Sequence, residues 1–269
     1  MPRELYTARL IRKDCISEAA QCFHLEFVLD DVENFPYSAG QFVSAVAIDG
    51  NGKQQTRAYS IASAPGGNHF DLCVNRVRSG FFSNHLADLP DLTIGGTVQI
   101  DGPHGHFLLR QPVTDSIFVA TGTGIAPIRA YTQWLFPAGG PDRSEGKDIW
   151  LLFGTRNEND IYYRREFEEL AARHPNFHYL VTLSRPQGSW TGLRGHVQEH
   201  VGCIIEERAA RLGQTLHRPA PDLAIPPAQL SFDIHAYICG LNKMVASVRE
   251  ILSTRYGWHR KQIVSERYD

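Results

Sequence analysis

Near the middle of the chain, Val119-Ala120 runs into Thr121-Gly122-Thr123-Gly124-Ile125-Ala126-Pro127. An apolar stretch ends there in Gly-x-Gly-x-x-Pro at the head of a helix-like segment. Glycines let backbone approach a phosphate or a flat ring with no Cβ in the way. Pro127 suits a first helical turn, and the free N–H groups and dipole of such a turn attract an anion. Proline stands where the usual dinucleotide pattern has its third glycine, so the turn alone fits a nucleotide and a ligand-free strand–helix turn equally.

Three further groups invite the same question. In Arg57-Ala58-Tyr59-Ser60, an arginine fork matches a pyrophosphate and a tyrosine on the same strand face can cover a flat heterocycle. The serine can donate to a ring nitrogen. Read alone, this tetrapeptide is first a surface arginine beside a half-buried tyrosine. Thr155-Arg156 and Ser184-Arg185 each follow an apolar run and suit a phosphate clamp at the ends of neighbouring parallel strands. Cys239 in Cys239-Gly240 is a reactive thiol or a small buried hydrophobe. Twelve histidines show no H-E-x-x-H, and five cysteines show no C-x-x-C, so no metal site is expected.

The elements that must hold these residues change rhythm along the chain. Up to about residue 110, short β-rich runs (Cys22–Leu29, Gln41–Ile48, Phe70–Val77, Thr97–Ile100) are broken by turns such as Asp49-Gly50-Asn51-Gly52. This predicts an antiparallel barrel. A helix over Ser83–Leu89, capped by Ser83, interrupts it. Beyond residue 115, strands at Ser116–Ala120, Asp148–Phe153, Phe177–Leu183, His235–Cys239 and Gln262–Ser265 alternate with helices over Ile125–Phe136, Asp160–His174 and Asn242–Tyr256. Such alternation predicts a doubly wound α/β sheet. The charges of the Asp160–His174 helix read as a solvated face. Segment Arg208–Phe232, rich in proline, reads as a surface excursion. The predicted organisation is a β-barrel over 1–111 and an α/β domain over 112–269, a two-domain β + α/β chain.

Composition bounds the function. The chain has 269 residues, 42% hydrophobic and 21% charged, with net charge −2. That excludes a disordered chain and argues against a nucleic-acid binder. Scattered cysteines fit a reducing cytoplasm. The N-terminus has no apolar h-region and no run is long enough for a bilayer, so neither a signal peptide nor a membrane span is expected. With no long apolar stripe, a monomer is expected.

Order adds what single motifs lack. Arg57-Ala58-Tyr59-Ser60, Val74-Asn75-Arg76-Val77, Gly80-Phe81-Phe82-Ser83, Gly102-Pro103-His104-Gly105-His106-Phe107, the Thr-Gly-Thr-Gly turn and Cys239-Gly240 follow one another in a sequence that resembles the ferredoxin–NADP reductase family of FAD enzymes. The resemblance covers nearly the whole chain. It implies that residues 1–111 bind FAD, with Arg57 at the pyrophosphate, Ala58 and Tyr59 along the flavin, and Ser60 near N5. It implies backbone contacts from Val74, Asn75 and Arg76, and a phosphate-holding turn at Gly80, Phe81, Phe82 and Ser83. The second domain then binds NADP(H). Gly122, Thr123 and Gly124 lie under the nicotinamide, and Thr155, Arg156, Ser184 and Arg185 select the 2′-phosphate. The terminal Val264–Asp269 resembles the bacterial subclass, whose near-terminal aromatic, here Tyr268, stacks on the flavin. Asp269 stands where that subclass often adds a second aromatic, and His196, with Arg194 nearby, stands where it has a third basic residue.

The resemblance implies hydride transfer between NADPH and FAD, with Ser60, Cys239 and Glu266 at the reacting site. Single electrons would pass to an external ferredoxin or flavodoxin, since the chain lacks cluster cysteines. Two alternatives stay open. One is an NADH-dependent reductase component of an oxygenase, separable by comparing the two nucleotides. The other is an FAD-binding subunit without turnover, whose flavin NADPH would not bleach.

Overall fold

The computed structural model describes residues 5–77, 80–87, 96–215 and 232–268. By contact the chain divides into two compact units, Met1–Leu109 with Ile125–Arg143, and Arg110–Gly124 with Ser144–Asp269.

The first unit is an antiparallel six-stranded sheet of β1 (Tyr6–Ser17), β2 (Cys22–Leu29), β3 (Phe42–Ile48), β4 (Gln54–Ser60), β5 (His69–Asn75) and β6 (Thr97–His104), with a short helix α1 (Phe81–Ala87). Strand order is β4-β3-β6-β1-β2-β5. Inward residues including Leu10, Leu25, Phe27, Phe35, Phe70 and Ile100 form its core, with Phe27 stacked on Phe70 at 5.3 Å. The outermost strands meet at the bridge Ile61↔Leu72 and the adjoining Ala62 N–H to Asp71 carbonyl bond, and this contact closes the sheet into a barrel. Helix α2 (Ile125–Leu135) follows the glycine turn in the chain, yet its side chains hold the barrel: Gln133 Oε1 accepts from Ala64 N–H at 3.1 Å and Tyr131 OH donates to the Phe107 carbonyl.

The second unit is a parallel sheet of β7 (Asp115–Thr121), β8 (Ile149–Thr155), β9 (Phe177–Leu183), β10 (Leu193–Arg194), β11 (Ile234–Leu241) and β12 (Ile263–Tyr268), in the order β10-β9-β8-β7-β11-β12. Its central strands are buried on both faces, as a parallel sheet requires. Ile117, Val119, Leu152 and Ile238 pack under α4 (Val197–Arg211) and α5 (Asn242–Glu250). Phe177 and Tyr179 pack against Phe167 of α3 (Arg164–Arg173).

Several expectations shift. Strand β1 and helix α4 were not legible in the sequence. The helix expected at Ser83–Leu89 begins at Phe81, so Ser83 is inside it rather than its cap. The Ser83 hydroxyl instead accepts from Val77 N–H at 2.9 Å and closes the preceding loop. Leu89 lies outside the described residues. Helix α3 begins at Arg164 because Tyr163 takes a left-handed conformation, φ 55°, which interrupts any run from Asp160. Helix α5 ends at Glu250 and continues as a π-type turn over Ile251–Arg255. Arg208 is not in a surface excursion. It is a buried residue of α4, paired with Asp115 at 2.7 Å. Residues 216–231 of that proline-rich segment lie outside the described residues. No helix of the described residues is long and apolar enough to cross a membrane.

Candidate cofactor site

In the barrel unit the expected residues fall on the two outermost strands. Arg57 and Tyr59 on β4 pair with Ala45 and Val43 of β3 and so share a face. The Arg57 guanidinium is exposed and donates to the Thr56 carbonyl at 2.7 Å. Tyr59 rests on the barrel core, and burial pushes its phenol up to about 12 against the opposing effect of Arg57. Ala58 is exposed and Ser60 is buried. On β5, Val74 is buried and Asn75 half-buried, and Arg76, just past its end, is exposed. Arg76 is fixed twice: its N–H donates to the Gln21 carbonyl at 2.9 Å and its Nε to Asn84 Oδ1 at 3.0 Å. The turn at Gly80 is tight, since a Cβ there would lie 2.5 Å from Ser83 Oγ. Phe82 is buried beneath it while Phe81 stays exposed.

In the sheet unit the expected residues gather at the carboxyl ends of the strands. The order of strands reverses between β7 and β11, where open α/β sheets bind ligands. Here the glycine turn meets the end of β11. A Cβ on Gly124 would sit 2.3 Å from the Cys239 carbonyl oxygen, so only glycine permits this approach. Gly240, at φ 147°, presses on Thr121 in the same way: its Cβ would lie 2.3 Å from Thr121 Oγ1. In register, Cys239 pairs with Glu266 and Leu241 with Tyr268. Cys239 is fully buried. Burial, then the Glu266 charge, hold its thiol well above the ordinary value, with a hydrogen bond from Tyr268 opposing. Next to this group, Ser184 N–H donates to the Thr155 carbonyl at 3.0 Å and Arg185 N–H to the Arg156 carbonyl at 2.9 Å. Both arginines are therefore exposed at one edge, and among the described residues neither has a carboxylate partner. Arg194 is exposed too, its Nη2 donating to the Trp190 carbonyl at 2.8 Å.

Sequence reading missed Thr121. Its hydroxyl oxygen is buried with no hydrogen-bond partner among the described residues. Such a group costs stability unless something polar meets it. An orphaned hydroxyl beside a glycine turn, with two uncompensated arginines following the neighbouring strands β8 and β9, is a donor set that fits an anionic nucleotide. The exposed Arg57 fork beside the Tyr59 ring fits a flavin diphosphate equally well.

A barrel and a doubly wound sheet, each with such a set, define an FAD- and NAD(P)-binding oxidoreductase. The comparisons agree. The family model for the oxidoreductase FAD-binding domain matches residues 7–108, and that for the oxidoreductase NAD-binding domain matches residues 118–250. Ferredoxin–NADP reductase B of Sorangium cellulosum is 40% identical, covering 99% of this chain and 98% of that protein. The root isozyme 2 of ferredoxin–NADP reductase of Arabidopsis thaliana is 29% identical over 93% of this chain and 68% of its own. The crystal structure of a ferredoxin NADP+ reductase from Neisseria gonorrhoeae, with bound FAD and NADP, superposes with a TM-score of 0.73 at 20% identity, covering 98% of both chains. The chain belongs to the ferredoxin–NADP reductase family. It is an NADPH-dependent flavoprotein reductase that binds FAD and NADP(H).

Proposed function

We propose that the chain moves hydride directly between NADPH and FAD, with Ser60, Cys239 and Glu266 as the residues at the reacting atoms, and serves a ferredoxin or flavodoxin as its one-electron carrier. The register that sets Cys239 beside Glu266 and Leu241 beside Tyr268, at the reversal of strand order, is the observation that carries this reading.

Bound FAD supplies the exchange between a two-electron hydride and single electrons. The chain's own residues bind, orient and exclude water. Arg57 holds the pyrophosphate, and Ala58 and Tyr59 flank the flavin. The Ser60 hydroxyl would donate to ring nitrogen N5. Val74, Asn75 and Arg76 offer backbone to the flavin, and Gly80, Phe81, Phe82 and Ser83 form the phosphate turn. Gly122, Thr123 and Gly124 give the nicotinamide a floor without Cβ atoms. The Cys239 thiol, kept neutral by burial, is a compact, polarisable group packed against the glycine turn. Glu266 holds a carboxylate beside it for proton handling, and Tyr268 supplies a ring that stacks on the flavin. Thr155, Arg156, Ser184 and Arg185 clamp the 2′-phosphate, which favours NADPH over NADH. We assign residues 1–111 to FAD and residues 112–269 to NADP(H), with the C-terminal tail contacting the flavin. Five free cysteines suit a reducing, cytoplasmic setting, and a monomer is the simplest assembly.

Steady-state turnover of Arg156→Ala and Arg185→Ala tests the nucleotide assignment. Each substitution removes charge-assisted bonds to a phosphate, so KM for NADPH rises about 10- to 100-fold while KM for NADH holds. An equal change for both nucleotides contradicts the clamp. Reduction of added ferredoxin or flavodoxin, absent without NADPH, tests the carrier.

A further inference from the structure

Strands β4 and β5 carry the two flavin-facing sequences, yet they stand at opposite ends of the strand order. Among the described residues no ladder joins them. They meet at the bridge Ile61↔Leu72 and at one hydrogen bond, Ala62 N–H to the Asp71 carbonyl, 2.8 Å. Ser60 adjoins Ile61, and Leu72 shares its strand with Val74 and Asn75. The register of this short seam therefore fixes how far Tyr59 and Ser60 lie from Val74–Arg76.

Helix α2 lays one side chain across the seam. Arg129 Nη1 donates to the Ala62 carbonyl at 2.9 Å and to Asp71 Oδ2 at 2.8 Å, one partner from each side. The pair is largely removed from water, with side-chain exposures of 11% and 17%. Asp71 is held further: its N–H donates to Ser63 Oγ at 2.9 Å, and His24 Nε2 stands 3.7 Å from Oδ2. Tyr37 OH in turn meets Ser63 Oγ at 3.0 Å. A buried ion pair is a poor source of net stability, because desolvation offsets attraction, and its best-attested use is to fix a register. Both bonds leave one nitrogen whose N–H directions the planar guanidinium fixes, and a lysine ammonium, turning freely on its stem, would hold the same two partners less rigidly.

We propose that Arg129 is a positioning residue of the flavin site, clamping the barrel seam through Ala62 and Asp71 so that β4 and β5 present their residues at the spacing FAD requires. This rests on the assignment of β4 and β5 to FAD. It is tested by titrating FAD into apoprotein, following flavin fluorescence and visible circular dichroism, well below the melting temperature. Arg129→Gln raises the Kd for FAD at least about tenfold and alters the visible dichroism of whatever flavin is bound, and Arg129→Lys gives a smaller change of the same kind. Tyr131→Phe removes a bond from the same helix away from the seam, so it lowers Tm while leaving the Kd within about twofold of wild type. A wild-type Kd and dichroism in Arg129→Gln, with only Tm reduced, overturns the proposal and leaves Arg129 a brace of the fold. Should Arg129→Gln not fold, Arg129→Lys decides on the same two readouts. Wild-type protein that takes up no FAD overturns the FAD assignment and the clamp together, an outcome distinct from normal uptake by wild type and variant alike.

Discussion

A single methyl group probes the glycine turn. At Gly124 it would meet the Cys239 carbonyl oxygen at 2.3 Å, and that obstacle is backbone, which cannot swing aside. Gly124→Ala is therefore expected to cost about 1–3 kcal/mol in urea unfolding, as overpacking does. It should also slow reduction of the flavin by NADPH without lowering FAD content. Cys239 gives a pH signature. Its thiol value is raised in the folded chain, so its contribution to stability is complete below the ordinary value of 9.0 and is lost as pH rises through the folded value. Urea midpoints of wild type and Cys239→Ala should thus converge at alkaline pH, and a constant gap would contradict the burial argument. The glycine turn, Cys239 and the two arginines were legible as residues because each is local in sequence. Thr121 and Arg129 were not. Their meaning depends on Gly240 and on Asp71, partners far away in the chain that only folding supplies.

Strands β2 and β9 were legible to the residue, Cys22–Leu29 and Phe177–Leu183, because apolar runs end there against turn signals. Strand β1 was not. Its Arg9, Arg12 and Lys13 point partly to solvent and mask the alternation. Helix α4 was missed for a related reason: it buries Val197, Val201, Ile204 and Ile205 but also Arg208, and a buried arginine breaks the apolar stripe. That arginine binds Asp115 at 2.7 Å with exposures of only 8% and 15%. Asp115 Oδ1 also accepts from Asp148 N–H at 3.0 Å, so the pair fastens α4 to the start of β7 and the approach to β8. Arg208→Ala leaves that carboxylate buried and uncompensated, an expected loss of about 3–5 kcal/mol in urea unfolding. A loss below about 1 kcal/mol would show the pair to behave as a surface bridge.

At the scale of the molecule, the change from closely spaced strands to strand–helix alternation announced both architectures. It did not announce that α2, written into the chain after β7, packs with the barrel. A fragment ending at residue 111 lacks α2 and with it the Arg129 bonds to Ala62 and Asp71. Such a fragment is expected to take up no FAD in a fluorescence titration, and uptake like that of the full chain would contradict the role given to the helix. The central claim concerns both units at once, that electrons enter from NADPH and reach FAD. Anaerobic addition of NADPH, and separately of NADH, to the FAD-loaded chain while the visible flavin band is recorded tests it most directly. The account predicts prompt bleaching by NADPH at concentrations far below those needed with NADH. A flavin that binds but stays coloured in excess NADPH would contradict it.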